Sequence, residues 1–151
     1  MTNASMVFVA ATAVLLECSC ATHRASYYWQ SDSGLAGRQI DSVLRDHPLS
    51  PTGNILVTPL ASVESASHHL VQVRHAESLH VHRDHDLTVF VYRGRGSMQM
   101  GDRVFAVRAG DVLAIPRGIP HAFRNEAAEP SVAVAVFSPA LEGNDTVLVP
   151  Q

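Results

Sequence analysis

Lysine is missing from this chain of 151 residues, and all 11 of its basic side chains are arginine. Schiff-base and lysine general-base chemistry are excluded on that ground. The short run Gly94-Arg95-Gly96 also lacks the lysine that a phosphate-cradling loop requires, so it reads as a turn between strands. Cysteine is nearly as scarce. Cys18 and Cys20 are the two, both near the amino terminus. The rest of the chain therefore has no thiol for a disulfide, a zinc–thiolate site or a cysteine nucleophile. There is no basic surplus either. Charged residues make up 17% and the formal net charge is −3, which leaves no electrostatic footprint for nucleic acid. No Gly-x-Ser-x-Gly elbow accompanies the serines and histidines, so a serine hydrolase is a poor reading.

The run from Met6 to Leu16 is apolar or small throughout, but its 11 residues are too few to cross a bilayer. That is the length of a signal-peptide core. Glu17-Cys18-Ser19-Cys20-Ala21-Thr22 follows, and the whole segment resembles a bacterial lipoprotein signal, in which a lipid-bearing cysteine becomes the first mature residue. Cys20 is the better candidate for lipid attachment, because Ser19 is small whereas Glu17 directly precedes Cys18. The segment departs from such signals in having Glu17 near the cleavage site and no Lys or Arg before the apolar run. The resemblance implies a signal over residues 1–20 and an extracytoplasmic protein held to a bacterial membrane by an N-terminal lipid. An ordinary cleaved signal and a frayed buried segment are the alternatives.

At 16.3 kDa the chain suits one domain and is short for two. Residues 21–53 are expected to be a tether and a short helix. Thr22 to Ser33 is polar with Tyr27-Tyr28-Trp29, and Ser33 or Asp32 is placed to cap a helix over Leu35 to Arg45. Ile40, Val43 and Leu44 share one face of that helix, and Asp46-His47-Pro48 ends it. From residue 54 to 151 the pattern changes to short strands between turn residues, at intervals of about ten. They are Ile55–Pro59, His69–Arg74, Ser78–His82, Thr88–Tyr92, Ser97–Met100, Arg103–Val107, Val112–Ile115, His121–Arg124 and Val132–Phe137, with Gly101-Asp102 as a hairpin turn. An all-β closed barrel or jelly roll follows from that spacing.

Five of the nine histidines lie between His68 and His82. His80 and His82 are one residue apart, so on a strand both imidazoles leave the same face. Asp86 follows closely, and His121 stands on a later strand. Three neutral imidazoles and a carboxylate suit divalent iron, manganese, nickel, copper or zinc. A His-x-His pair alone is weak evidence. His68, His69 and His75 read as exposed or hydrogen-bonded side chains, and His47 as a helix-end residue.

The stretch from Gly110 to Asn125 matches G-x5-P-x-G-x2-H-x3-N at every fixed position, through Gly110, Pro116, Gly118, His121 and Asn125. That is the second motif of the cupins. The segment from His80 through Gly94 resembles their first motif, H-x-H-x3 or 4-E-x6-G, and the resemblance covers about Glu64 to Pro139. It implies a single-domain cupin, a small β-barrel of double-stranded β-helix type. It also implies a divalent metal ion on His80, His82, His121 and an acid, and a homodimer. Counting forward from His82 places the acid at Asp86, whereas counting back from Gly94 places it at Leu87, so a bulge or longer turn must absorb one residue. His85 competes with Asp86 for the fourth position, and Asp84 is a remoter candidate. Asp111 and Asn125 read as turn-stabilising side chains. Two functions stay open: a module that binds a small molecule at the metal, and a metal-dependent enzyme of dioxygenase, decarboxylase or isomerase type.

Overall fold

In the computed structural model, which describes residues 24–150, two short antiparallel strands open the domain, β1 (Ser26–Ser31) and β2 (Gly34–Gln39). The signal segment, Cys18, Cys20 and His23 lie outside the described residues. A tether through Ser33 and a helix from Leu35 were expected here, and the hairpin corrects both. Aromatic residues favour strands, and Gly34 and Gly37 are poor helix formers. Gly34 leaves the turn at φ 113°, and a Cβ on Gly37 would collide with the Tyr28 ring that lies across it. The helix α1 is confined to Ile40–Asp46 and starts without a side-chain cap, while His47 ends it as anticipated.

Two five-stranded antiparallel sheets form the body. One runs β3-β4-β11-β6-β9, from β3 (Ile55–Val63), β4 (Ala66–Val73), β6 (Asp86–Arg93), β9 (Val112–Ile115) and β11 (Ser131–Ser138). The other runs β12-β5-β10-β7-β8, from β5 (His80–His82), β7 (Arg95–Met100), β8 (Arg103–Arg108), β10 (His121–Asn125) and β12 (Thr146–Leu148). This is the jelly roll that the strand spacing predicts. All nine expected strands are present with ends shifted by a few residues, and Gly101 and Asp102 make the turn from β7 to β8.

Alternation along the strands divides the apolar residues between two places. Inward residues such as Leu87, Val91, Met98, Leu113 and Phe137 form the barrel interior. Outward, Leu70 and Val132 pack beneath Ile40 and Val43 of α1, and all four are buried. Each such side chain contributes about 1.5–3 kcal/mol on leaving water, so tertiary packing holds a seven-residue helix too short to persist alone.

The expected bulge lies on β6. Val132 pairs with Arg93 and Ala133 with Val91, leaving Tyr92 as the extra residue. Gly94 follows with φ 99°, and a Cβ there would run into Ser131.

Candidate metal centre

Strand pairing assembles three histidines. His121 on β10 stands directly opposite His80 on β5, and His82 emerges on the same face two residues along. The ring centroids are 4.3 Å apart for His80 and His121, 5.1 Å for His80 and His82, and 5.2 Å for His82 and His121. All three are buried, and one ligand atom from each lies within 4.8 Å of the others.

Their tautomers are set by what the other ring nitrogen touches. The Nδ1–H of His80 donates to the Ser78 carbonyl at 2.8 Å and that of His121 to the Ile119 carbonyl at 2.9 Å. A carbonyl only accepts, so both protons sit on Nδ1. The Nδ1–H of His82 donates to Asp145 Oδ1 at 2.9 Å. Each ring is left with a bare Nε2 lone pair, and the buried Nε2 of His121 has no hydrogen-bond partner among the described residues. Burial pushes His121 down to about 4, against the bond to Ile119 and with help from the other two imidazoles. Burial likewise lowers His82, opposed by Asp145. Three buried imidazoles with a ligand atom each within 4.8 Å of the others fit a divalent transition metal or zinc.

Asp86 is not in this cluster, which corrects the expected ligand set. On β6 Leu87, Val89 and Val91 face the barrel interior, and strand parity sends Asp86 outward. Its carboxylate accepts the Arg117 backbone N–H at 2.9 Å and the Arg117 guanidinium at 2.9 Å and 3.3 Å. Those bonds hold its pKa near 2. Asp86 therefore ties β6 to the turn that delivers His121, where Gly118 has φ 77° and donates its N–H to the His82 carbonyl at 2.7 Å. Leu87, the other position that counting allowed, points inward and brings no ligand atom.

The acid beside the histidines is Asp145, just before β12. Thr146 pairs with His82, so the preceding carboxylate reaches both His82 and the buried His85. Burial opposes its ionisation, but bonds from His85, His82 and the Asp84 N–H outweigh that and keep its pKa below the usual carboxylate range. His85 is thus turned to Asp145 and to the Ala140 carbonyl at 3.3 Å, away from the other three rings, and Asp84 contributes its backbone. Asp145 sits in a Gly143-Asn144-Asp145 loop with no periodic signal, and only its place before an inward-paired strand betrays it.

The histidines line one part of a cavity of about 490 Å³ between the sheets. Glu77 shares that wall. Its Oε2 accepts the Phe123 N–H at 3.0 Å, and burial raises its pKa, opposed by His80 and by that hydrogen bond. Among the remaining histidines, His68 Nδ1 pairs with the Tyr27 hydroxyl at 2.7 Å, His75 is exposed, and His69 is buried against Phe137 with Nε2 2.9 Å from Ser67 Oγ. Asn125 and Asp111 have the structural roles expected. Asn125 bonds the Arg74, Ala127 and Glu129 carbonyls, and Asp111 accepts the Arg108 N–H.

Residues 67–137 match the protein-family model described as "Cupin domain". The chain is 37% identical over 95 residues to an uncharacterized protein of Aquifex aeolicus (strain VF5), an alignment spanning 63% of this chain and 78% of the relative. Among solved structures it is similar to the TT1209 protein of Thermus thermophilus, with TM-score 0.58 and 24% identity, over 66% of this chain and 95% of that one. It is also similar to a Klebsiella pneumoniae conserved protein with a double-stranded beta-helix domain, with TM-score 0.59 and 22% identity, over 70% and 94% of the two chains.

Proposed function

We propose that this chain, whose residues 67–137 match the cupin domain model, is a cupin and an extracytoplasmic, lipid-anchored metal-binding protein that presents a divalent ion on His80, His82 and His121 to a small molecule. One observation carries this reading: three buried imidazoles have their Nδ1 atoms occupied, and one ligand atom from each lies within 4.8 Å of the others at a cavity wall. An ion held there would supply a Lewis acid with positions left for a ligand. The chain's own groups do the rest: Asp145 fixes the His82 ring, the Ser78 and Ile119 carbonyls fix the other two, and the apolar walls exclude water. Purified protein analysed by elemental mass spectrometry is expected to hold about one iron, manganese, nickel, copper or zinc ion per chain. Retention of none after exposure to each would overturn the reading.

Anchoring rests on the apolar run Met6 to Leu16 and on Cys20. Mass spectrometry of the native amino terminus is expected to find lipid on Cys20, and an intact Met1 or a free terminus beyond Cys20 overturns it. A homodimer belongs to the same proposal. The outward cross-strand pair Phe90 and Val112 leaves apolar surface for a second copy, which sedimentation equilibrium tests.

A second reading, metal-dependent catalysis, is favoured by Glu77. A carboxyl whose pKa is raised by burial, in the same wall as the triad, is the kind of group that takes or gives a proton. Turnover of any small oxygenated compound by metal-loaded protein, lost in Glu77→Gln with metal retained, would favour it over binding alone.

A further inference from the structure

The cavity wall says what kind of molecule fits beside the histidines. Its first sheet contributes Val71, Val89 and Leu113, and the facing sheet Met98, Val107 and Phe123. None of the 11 arginines lines it, and Glu77 is its one carboxylate among the described residues. Of the few other polar side chains two are partly committed, Ser131 Oγ donating to Asn125 Oδ1 at 2.6 Å and Asn144 Oδ1 accepting the Thr146 N–H at 3.0 Å, which leaves the Ser78 and Thr146 hydroxyls. A phosphate carried on the body, away from the histidines, would meet no arginine to pair it, and a polyhydroxylated body would give up water for a wall that returns few hydrogen bonds. Toward the opening the apolar lining continues through Ile55 and Val57 of β3 and Leu148 of β12, all exposed side chains of edge strands.

We infer that this site takes a compact molecule with an apolar body, of ring or short branched-chain size, and a single oxygen-bearing head. It does not take a sugar, a sugar acid or a compound whose body carries a phosphate. The head lies against His80, His82 and His121 with Glu77 beside it, and the body lies between the two valine- and leucine-rich sheets. A cavity of about 490 Å³ is in the range of small-molecule sites. The inference deepens the metal-centre reading and rests on it for the head alone, because the preference for an apolar body comes from the walls.

Two probes that each carry a carboxylate beside an oxygen-bearing carbon, on different bodies, test that preference: phenylpyruvate and 2-ketogluconate. Titration calorimetry on metal-loaded protein is expected to show phenylpyruvate binding at least about tenfold tighter. Val89→Asn and Leu113→Gln are expected to shrink the ratio toward one while metal content stays constant. The same pair is compared by thermal shift on metal-free protein, where the phenyl body is again expected to stabilise more. Equal or tighter binding of 2-ketogluconate, or binding of neither, overturns the inference. Absence of bound metal in the wild-type protein overturns the metal-centre reading instead, and the metal-free comparison still decides the body.

Discussion

On β4, Leu70 and Val71 are neighbours with opposite surroundings. Leu70 faces outward beneath α1 and is fully buried with Val43 and Val132, whereas Val71 faces inward and lines a cavity. The outer cluster is filled, and the inner one is an apolar shell around space with three histidines in its wall. The same strands thus carry a packed face that supports the fold and a hollow face that leaves room for a small molecule. A jelly roll need not fill its interior if packing elsewhere supplies stability.

The sharpest way to break that contrast is to remove a histidine. His80→Ala, His82→Ala and His121→Ala are each expected to drop bound metal from about one ion per chain to background, with the far-ultraviolet circular dichroism unchanged. Retention of stoichiometric metal by any two of them would mean that the ion sits elsewhere.

Leu70→Ala makes the opposite test, since it opens a cavity in the filled cluster. A loss of about 3 kcal/mol is expected in denaturant unfolding, with metal content unchanged. Leu113→Ala on the hollow side enlarges a space that already exists and is expected to cost about half of that or less. Equal costs would show that the interior is as tightly filled as the outer cluster.

Acid separates the two faces by charge. Burial holds His121 at about 4 against an ordinary 6.5. The unfolded chain therefore takes up a proton that the folded chain refuses. Stability is complete above pH 6.5 and falls as pH drops from 6.5 toward 4, by roughly 2 to 3 kcal/mol. His121→Gln is expected to flatten that slope. Leu70→Ala is expected to lower the whole curve without changing its shape, and a parallel curve for His121→Gln would refute the assignment.

Asp145→Asn is a milder change, since the amide keeps the size and one acceptor oxygen but loses the charge. Metal affinity is expected to weaken by about 10- to 100-fold, the usual range for a partner that orients a ligating imidazole. Unchanged affinity in a competition titration would leave Asp145 as a loop anchor only.

How far the sequence could be read depended on whether the signal was local. The turn residues Gly110, Pro116 and Gly118 and the alternation at His80 and His82 are local, and they placed β9, β10 and the three histidines. The β1–β2 hairpin was missed because Ile40, Val43 and Leu44 do lie on one helical face, but the two glycines before them stop that helix from extending back to Leu35. The fourth position was misjudged for a different reason. Spacing allowed both Asp86 and Leu87, and strand parity, which only the pairing of β6 with β9 and β11 settles, turned the acid out and the leucine in. Asp145 reaches the site from 63 residues beyond His82, through a strand of three residues that no periodicity marks.

The smallest effect is expected at Asp86. As a ligand, its removal would empty the site as completely as loss of a histidine. As the partner of Arg117, it holds a surface turn through an exposed ion pair, and such pairs contribute little and are screened by salt. Asp86→Asn is therefore expected to keep full metal stoichiometry and to lower the melting temperature by about 2 °C or less, an effect that shrinks further in high salt. Because Arg117 holds the carboxylate near 2, the ion pair is expected to persist when pH is lowered from 7 to 4, while the histidine side loses stability over the same range. Arg117→Gln is the control. If Asp86 serves the turn alone, both variants behave alike. If Asp86→Asn loses metal and Arg117→Gln does not, Asp86 is a ligand and its tie to Arg117 is secondary.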